Sequence, residues 1–166
     1  ALGSFNHSVT GWTSSGNLGS AGQAGVIGAS SANYVGNTVS GANVGFASGI
    51  ATLSQTLSET FDSSKDYQLI VAVGDRDEST PGLSQYRIRL FAGATLIGET
   101  IGTPVSTGLN DVQLYVDGAT FSAAQNGALR IELGTASPDG LSQQLGFDNV
   151  RLRVLEANTL SLAENS

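Results

Sequence analysis

The chain has 166 residues, enough for one substantial core and short for two. It contains no cysteine, which excludes a disulfide framework and a thiolate zinc site, and its formal charge of −7 speaks against nucleic-acid binding. No run approaches the ~20 apolar residues that span a bilayer, so membrane insertion is not expected, whereas the wealth of side-chain oxygens favours hard cations such as calcium.

In chain order, SFNHSVTGW reads as a first strand leading into a turn. AGVIGASSANYVGNTVSG reads as weak strand broken by glycines, and the recurrence of Val26, Ile27, Tyr34, Val44 and Phe46 suggests irregular loop packed over a core. GIATLSQTL is the next strand. YQLIVAV then places Tyr67, Leu69, Val71 and Val73 on one side, and YRIRLF does the same for Tyr86, Ile88 and Leu90. VQLYV aligns Val112, Leu114 and Val116. SAAQNG forms a helical turn or a tight loop, and LRIEL aligns Leu129, Ile131 and Leu133. In FDNVRLRV, Val150, Leu152 and Val154 point one way and Arg151 and Arg153 the other. These strands, separated by Gly, Asn, Asp, Ser or Pro clusters, predict an all-β sandwich or barrel. The domain is expected over residues 1–156, with 157–166 a linker that has no partner strand.

Three groups of residues carry candidate chemistry. GDRDESTPG gathers Asp75, Asp77 and Glu78 around Arg76, which suits a second calcium, sugar hydroxyls, or simply a solvated loop; Arg76, at the strand end, suits a bidentate contact. Arg87, Arg89 and Phe91, with Gln113, Tyr115, Arg130 and Glu132, occupy outward strand positions. If their strands are neighbours in one sheet, they form a polar platform with two aromatic rings, able to stack on a sugar and hydrogen-bond its hydroxyls. The alternative is a half-exposed sheet covered by cross-strand Arg–Glu pairs. Trp12 is read as a core residue. His7 is the sole histidine and has no acid patterned to orient it. No GxSxG or HExxH occurs, so catalysis is not expected.

Taken in order, GSFN, the Gly11–Trp12 pair, LSQTL, SSKDYQLIVAV, YRIRLFAG and FDNVRL resemble the carbohydrate-binding-module type of galactose-binding-like jelly roll, over Gly3 to Val154. The resemblance implies a jelly-roll β-sandwich of two antiparallel sheets. It also implies a structural calcium where the first strand meets the last, carried over to Asp148 and to Asn6, where the family more often has Glu. SLAENS resembles the opening strand of cadherin-like repeats of bacterial surface proteins. The function so implied is non-catalytic binding of a polysaccharide or glycan, by one module of a larger secreted or cell-surface protein beside neighbouring modules. The alternative is a structural spacer or interaction module of an adhesin with no sugar site. A hydrolase or lyase on the same scaffold is the outsider.

Overall fold

Two antiparallel five-stranded sheets pack face to face as a jelly-roll sandwich in the computed structural model, which describes residues 6–28, 43–75, 85–105, 108–136 and 144–157. The first sheet runs, in spatial order, β1 (Thr13–Ser14), β4 (Thr52–Thr60), β9 (Ala128–Thr135), β6 (Tyr86–Ala92) and β7 (Thr95–Gly102). The second runs β2 (Ala24–Gly28), β3 (Asn43–Ser48), β10 (Gln144–Glu156), β5 (Lys65–Asp75) and β8 (Asn110–Asp117). The all-β jelly-roll expectation is therefore met.

Alternation places the main core between the sheets. Ile88 and Leu90 of β6 and Leu129, Ile131 and Leu133 of β9 meet Leu69, Val71 and Val73 of β5 and Leu145 and Phe147 of β10, all buried. Phe61 and Tyr67 stack at 5.2 Å beneath one end, and the Tyr67 hydroxyl accepts the Asp62 amide at 2.7 Å, so the one polar atom of that ring is satisfied. Trp12 packs half-buried against this core. SAAQNG contributes to a short 3-10 segment, Gly118–Ala124, whose first amides are capped by Asp117 accepting from the Ala119 amide at 3.0 Å.

The structure departs from the alternating pattern in three places. The described residues of SFNHSVTGW, Asn6 to Trp12, form no continuous strand; they make isolated bridges, Asn6 with Val26 and Val9 with Trp12. β7 is an edge strand in which Ile97 is buried while Leu96 and Ile101 are exposed, so TLIGETIG carried no two-residue period to read. β5 is buried on both faces, with Ile70 and Ala72 as enclosed as their inward neighbours. The unbroken apolar run LIVAV is the sequence mark of that second burial.

β10 contains a bulge beside Asp148. Asp148 pairs with Ala72 and Arg151 with Ile70, so Asn149 and Val150 together oppose the single Val71. Asn149 has φ +49°, the left-handed conformation that asparagine tolerates better than other side-chain-bearing residues. The extra residue explains why Phe147 and Val150, three apart, both pack towards the main core. β10 ends at Glu156; residues 158–166 of the expected linker lie outside the described residues, as do Tyr34, Arg76, Asp77 and Glu78.

Candidate active site around Asp148

The second sheet has a small apolar cluster on the face turned away from the main core. Ile27, Val44, Phe46, Ala72 and Leu109 meet there, none more than 8% exposed. The strand registers build this face in rows. In one row Gly25 lies opposite Phe46, Phe46 opposite Gly146, and Gly146 opposite Gly74, so on three neighbouring strands no side chain stands beside the Phe46 ring. The room over Gly25 is taken by the backbone of Asn6 and His7, which a Cβ there would meet at 2.3 Å and 3.0 Å, and Phe46 is fully buried. The His7 ring meets Phe46 edge-on at 6.2 Å, held there because its Nδ1 donates to the Ala24 carbonyl at 2.8 Å.

The next row places acid against hydrocarbon. Ile27 pairs with Val44, Asp148 with Ala72, and Ala72 with Asp111. Residues directly opposite share a face of the pleat, so Asp148 stands on the same side as Ala72 and the apolar cluster. Its Oδ1 accepts the Asn149 amide at 2.8 Å, a short local bond that the left-handed bulge residue makes available. Asp111, on the outermost strand, is answered by Arg151 at 2.6 Å. At the far end of the face Gln144 pairs with Ser48, both buried, and Ser48 Oγ accepts the Gln23 amide at 3.0 Å.

Asp148 is thus at a site, but not with its expected companion. Asn6 bridges Val26 at the free edge of β2, with β2 and β3 lying between it and β10. Three inter-strand steps of about 4.8 Å separate the two by roughly 14 Å, far beyond what one calcium can span. The Asn6 Oδ1 instead accepts the Ser8 amide at 2.9 Å. Among the described residues no group of three or more His, Asp or Glu could hold a metal ion. A calcium shared by Asn6 and Asp148 does not fit these residues.

The aromatic platform is not assembled either. Arg87, Arg89 and Phe91 on β6 and Arg130 on β9 are neighbours in the first sheet, but Gln113 and Tyr115 on β8 belong to the second, on the opposite side of the sandwich. On the first sheet the charges answer one another. Glu132 bonds both Arg89 and Arg130, Arg87 pairs with Glu99 at 3.5 Å, and Arg130 covers the Phe91 ring at 3.9 Å. On the second, Gln113 accepts from Gln68 at 2.8 Å, and the Tyr115 hydroxyl donates to Asp66 at 2.6 Å. That hydrogen bond to a carboxylate holds the Tyr115 hydroxyl above the usual tyrosine range, with burial acting in the same direction. Arg76 lies outside the described residues.

Asp148 also lines a pocket of about 270 Å³ together with Trp12, Leu53, Leu133, Phe147 and Val150. Sequence reasoning missed Leu53, Leu133, Phe147 and Val150 as site residues, because each reads as an ordinary member of an inward-facing strand set.

Solved structures share this architecture. A cyclase from Fischerella sp. TAU in complex with 4-(1H-Indol-3-yl)butan-2-one is 23% identical, covers 95% of this chain and 91% of its own, and superposes with a TM-score of 0.79. The Stig cyclase Fisc from Fischerella sp. TAU, in complex with (3Z)-3-(1-methyl-2-pyrrolidinylidene)-3H-indole, is 23% identical over 93% of this chain and 89% of its own, TM-score 0.76. The CBM22-1 xylan-binding domain from Paenibacillus barcinonensis is a more distant likeness, 13% identical over 94% and 93% of the two chains, TM-score 0.56. At these identities the likenesses fix the jelly-roll fold, which cyclases and carbohydrate-binding modules share. No curated protein matches the chain in sequence. The family model described as HpiC1-like, HpiC1 cyclase, matches residues 2–153. That match overturns the expectation of a non-catalytic carbohydrate-binding or adhesin module, and with it a polysaccharide and neighbouring modules as the partners. Order of motifs along a jelly roll identifies the scaffold and not the chemistry grafted on it; by its family match, this chain belongs to the HpiC1-like cyclases.

Proposed function

We propose that this chain is a cyclase that closes a ring in a small, largely apolar substrate, with Asp148 as the group that moves the proton. One observation carries this reading: a carboxyl group, that of Asp148, lines a pocket of about 270 Å³ whose other walls include Trp12, Leu53, Leu133, Phe147 and Val150. The two Fischerella cyclases are complexed with indole compounds, which supports an indole-type substrate here. A flat aromatic ring suits the apolar walls of that pocket.

Ring closure of this kind is an isomerisation. Asp148 delivers a proton to an alkene or imine of the substrate. The electron-rich ring then attacks the resulting cation through a π bond, and a carbon–carbon bond forms. A proton leaves the attacked ring carbon and the carboxylate recovers it, so substrate and product have the same atoms and no oxidant or reductant is required. The Asn149 amide fixes the orientation of the carboxyl, and the apolar side chains exclude water that would trap the cation.

The test uses indoles carrying an alkenyl side chain, with products separated by chromatography and identified as isomers by mass. Wild type should form the cyclised isomer. Asp148→Asn, which keeps an oxygen able to accept the Asn149 amide, should bind the same compounds in calorimetry and lose ring closure. A variant as fast as wild type would remove Asp148 from the reaction, and failure of wild type to isomerise any of them would sink the substrate class.

A further inference from the structure

One row of inward positions crossing the second sheet has a gap. Strand register sets Val26 of β2 opposite Gly45 of β3, Gly45 opposite Phe147 of β10, and Phe147 opposite Val73 of β5. Residues directly opposite share a face of the pleat, so three of these four carry bulky side chains towards the first sheet and Gly45 carries none. Backbone conformation does not ask for glycine here. Gly45 lies inside a regular strand and is not among the glycines of positive φ. Glycine weakens a strand interior, and it marks a place where another group approaches closely.

The group that approaches is Leu53. A Cβ built on Gly45 would stand 2.9 Å from a Leu53 methyl and 3.2 Å from the Phe147 carbonyl oxygen. The methyl thus fills the place that a side chain at position 45 would take. At Gly22, Gly25, Gly49 and Gly118 a Cβ would instead meet backbone oxygens at 2.0 to 2.3 Å, so those glycines serve the architecture. Gly45, Leu53 and Phe147 all line the pocket that Asp148 lines. A methyl group added at position 45 must displace the Leu53 methyl. Leu53 is buried in a close-packed core, and the unfilled volume beside it is that pocket.

We propose that Gly45 is a specificity-determining residue of the Asp148 pocket: by leaving room for the Leu53 methyl, it sets the size of the ring system that can reach the acid. This rests on the reading that substrate binds beside Asp148. An apolar cavity of roughly 150 Å³ already holds benzene. The larger pocket here suits a fused two-ring system with a short appendage, and a wall moved by one methyl should discriminate against ligands that fill it.

The probes are indole and 1,2,3,4-tetrahydrocarbazole, the same nucleus with one more ring, titrated by calorimetry into wild type, Gly45→Ala, Leu53→Val and the double variant, each checked for folding by a thermal melt. Wild type should bind both. Gly45→Ala should weaken tetrahydrocarbazole relative to indole by roughly 10- to 200-fold, the worth of a methyl group in an apolar pocket. Leu53→Val should move the ratio the other way, and the double variant should return it towards wild type. Binding of neither probe by wild type would overturn the pocket as the substrate site, and this inference with it. Binding of both with the ratio unaltered in Gly45→Ala would overturn the role of Gly45 and leave the Asp148 reading standing. A double variant that behaves like Gly45→Ala would show the methyl acting through the Phe147 carbonyl, against the part given to Leu53. If Gly45→Ala does not fold, Leu53→Val decides: an unaltered ratio there overturns the inference.

Discussion

The two outer faces of the sandwich solve opposite problems with the same pleat. On the first sheet the outward residues of β6 and β9 are mostly charged, and Glu132 alone answers Arg89 and Arg130 while Arg130 lies over Phe91. On the second sheet the corresponding positions near Asp148 are Ile27, Val44, Phe46 and Ala72, with glycines filling the row beside them. Polar alternation on an outer face is what solvent demands of any half-exposed sheet. Hydrocarbon there is enclosed, none of the cluster being more than 8% exposed. The face that looked richest in binding groups satisfies itself, and the carboxyl at the margin of the apolar one, Asp148, is the group that lines a pocket.

Paired substitutions can break this contrast. The largest effect should come from Asp148→Asn, which is expected to slow ring closure by roughly a hundred- to ten-thousand-fold, the usual worth of a positioned acid–base group. Product formation under single-turnover conditions would measure it. If Asp148→Asn were harmless and a first-sheet substitution were not, the two faces would have been assigned the wrong way round.

Ala72→Leu sharpens the assignment by adding bulk beside Asp148. It should change the preference between substrates of different ring size by roughly 10- to 200-fold, read as ratios of kcat/KM. The same substitution should leave Trp12 emission unaltered, since Ala72 faces away from that ring.

Glu132→Ala tests the other face. Removing the shared acceptor of Arg89 and Arg130 should destabilise the fold by about 1–3 kcal/mol in urea denaturation while leaving ring closure unchanged. A loss of activity at full occupancy of the folded state would count against a purely structural role for that lattice.

The smallest effect is a pH dependence. The hydrogen bond to Asp66 raises the Tyr115 hydroxyl above its ordinary value, so the folded state favours the neutral phenol. That contribution is complete below pH of about 10, the unfolded value, and disappears as pH rises through the higher folded one. Tyr115→Phe should therefore flatten the alkaline end of the Tm–pH curve relative to wild type. Parallel curves for the two proteins would remove the hydroxyl from the alkaline transition.

The strands were legible because burial on one face writes a two-residue period, and β5, β6, β8, β9 and β10 all show it. Adjacency was not. Nothing in VQLYV or LRIEL says that β9 lies beside β6 while β8 crosses to the other sheet, and the platform failed on that point. The candidate site was half legible. Asp148 stood out as an acid at the start of a hydrophobic strand, but its surroundings come from β2, β3 and β5, joined only by register.

The bulge in β10 also has an arithmetic meaning. Subtract Asn149 from the strand, and Asp148 still meets Ala72, Val150 meets Val71 alone, and Arg151 still meets Ile70. The ladder closes without it. Asn149 is thus a surplus letter in the spelling of the fold, dispensable to the sandwich, yet placed where the acid's hydrogen bond and a wall of the pocket that the acid lines both draw on it. A chain with that one residue excised should keep the architecture of its parent while losing what distinguishes this strand from a plain one.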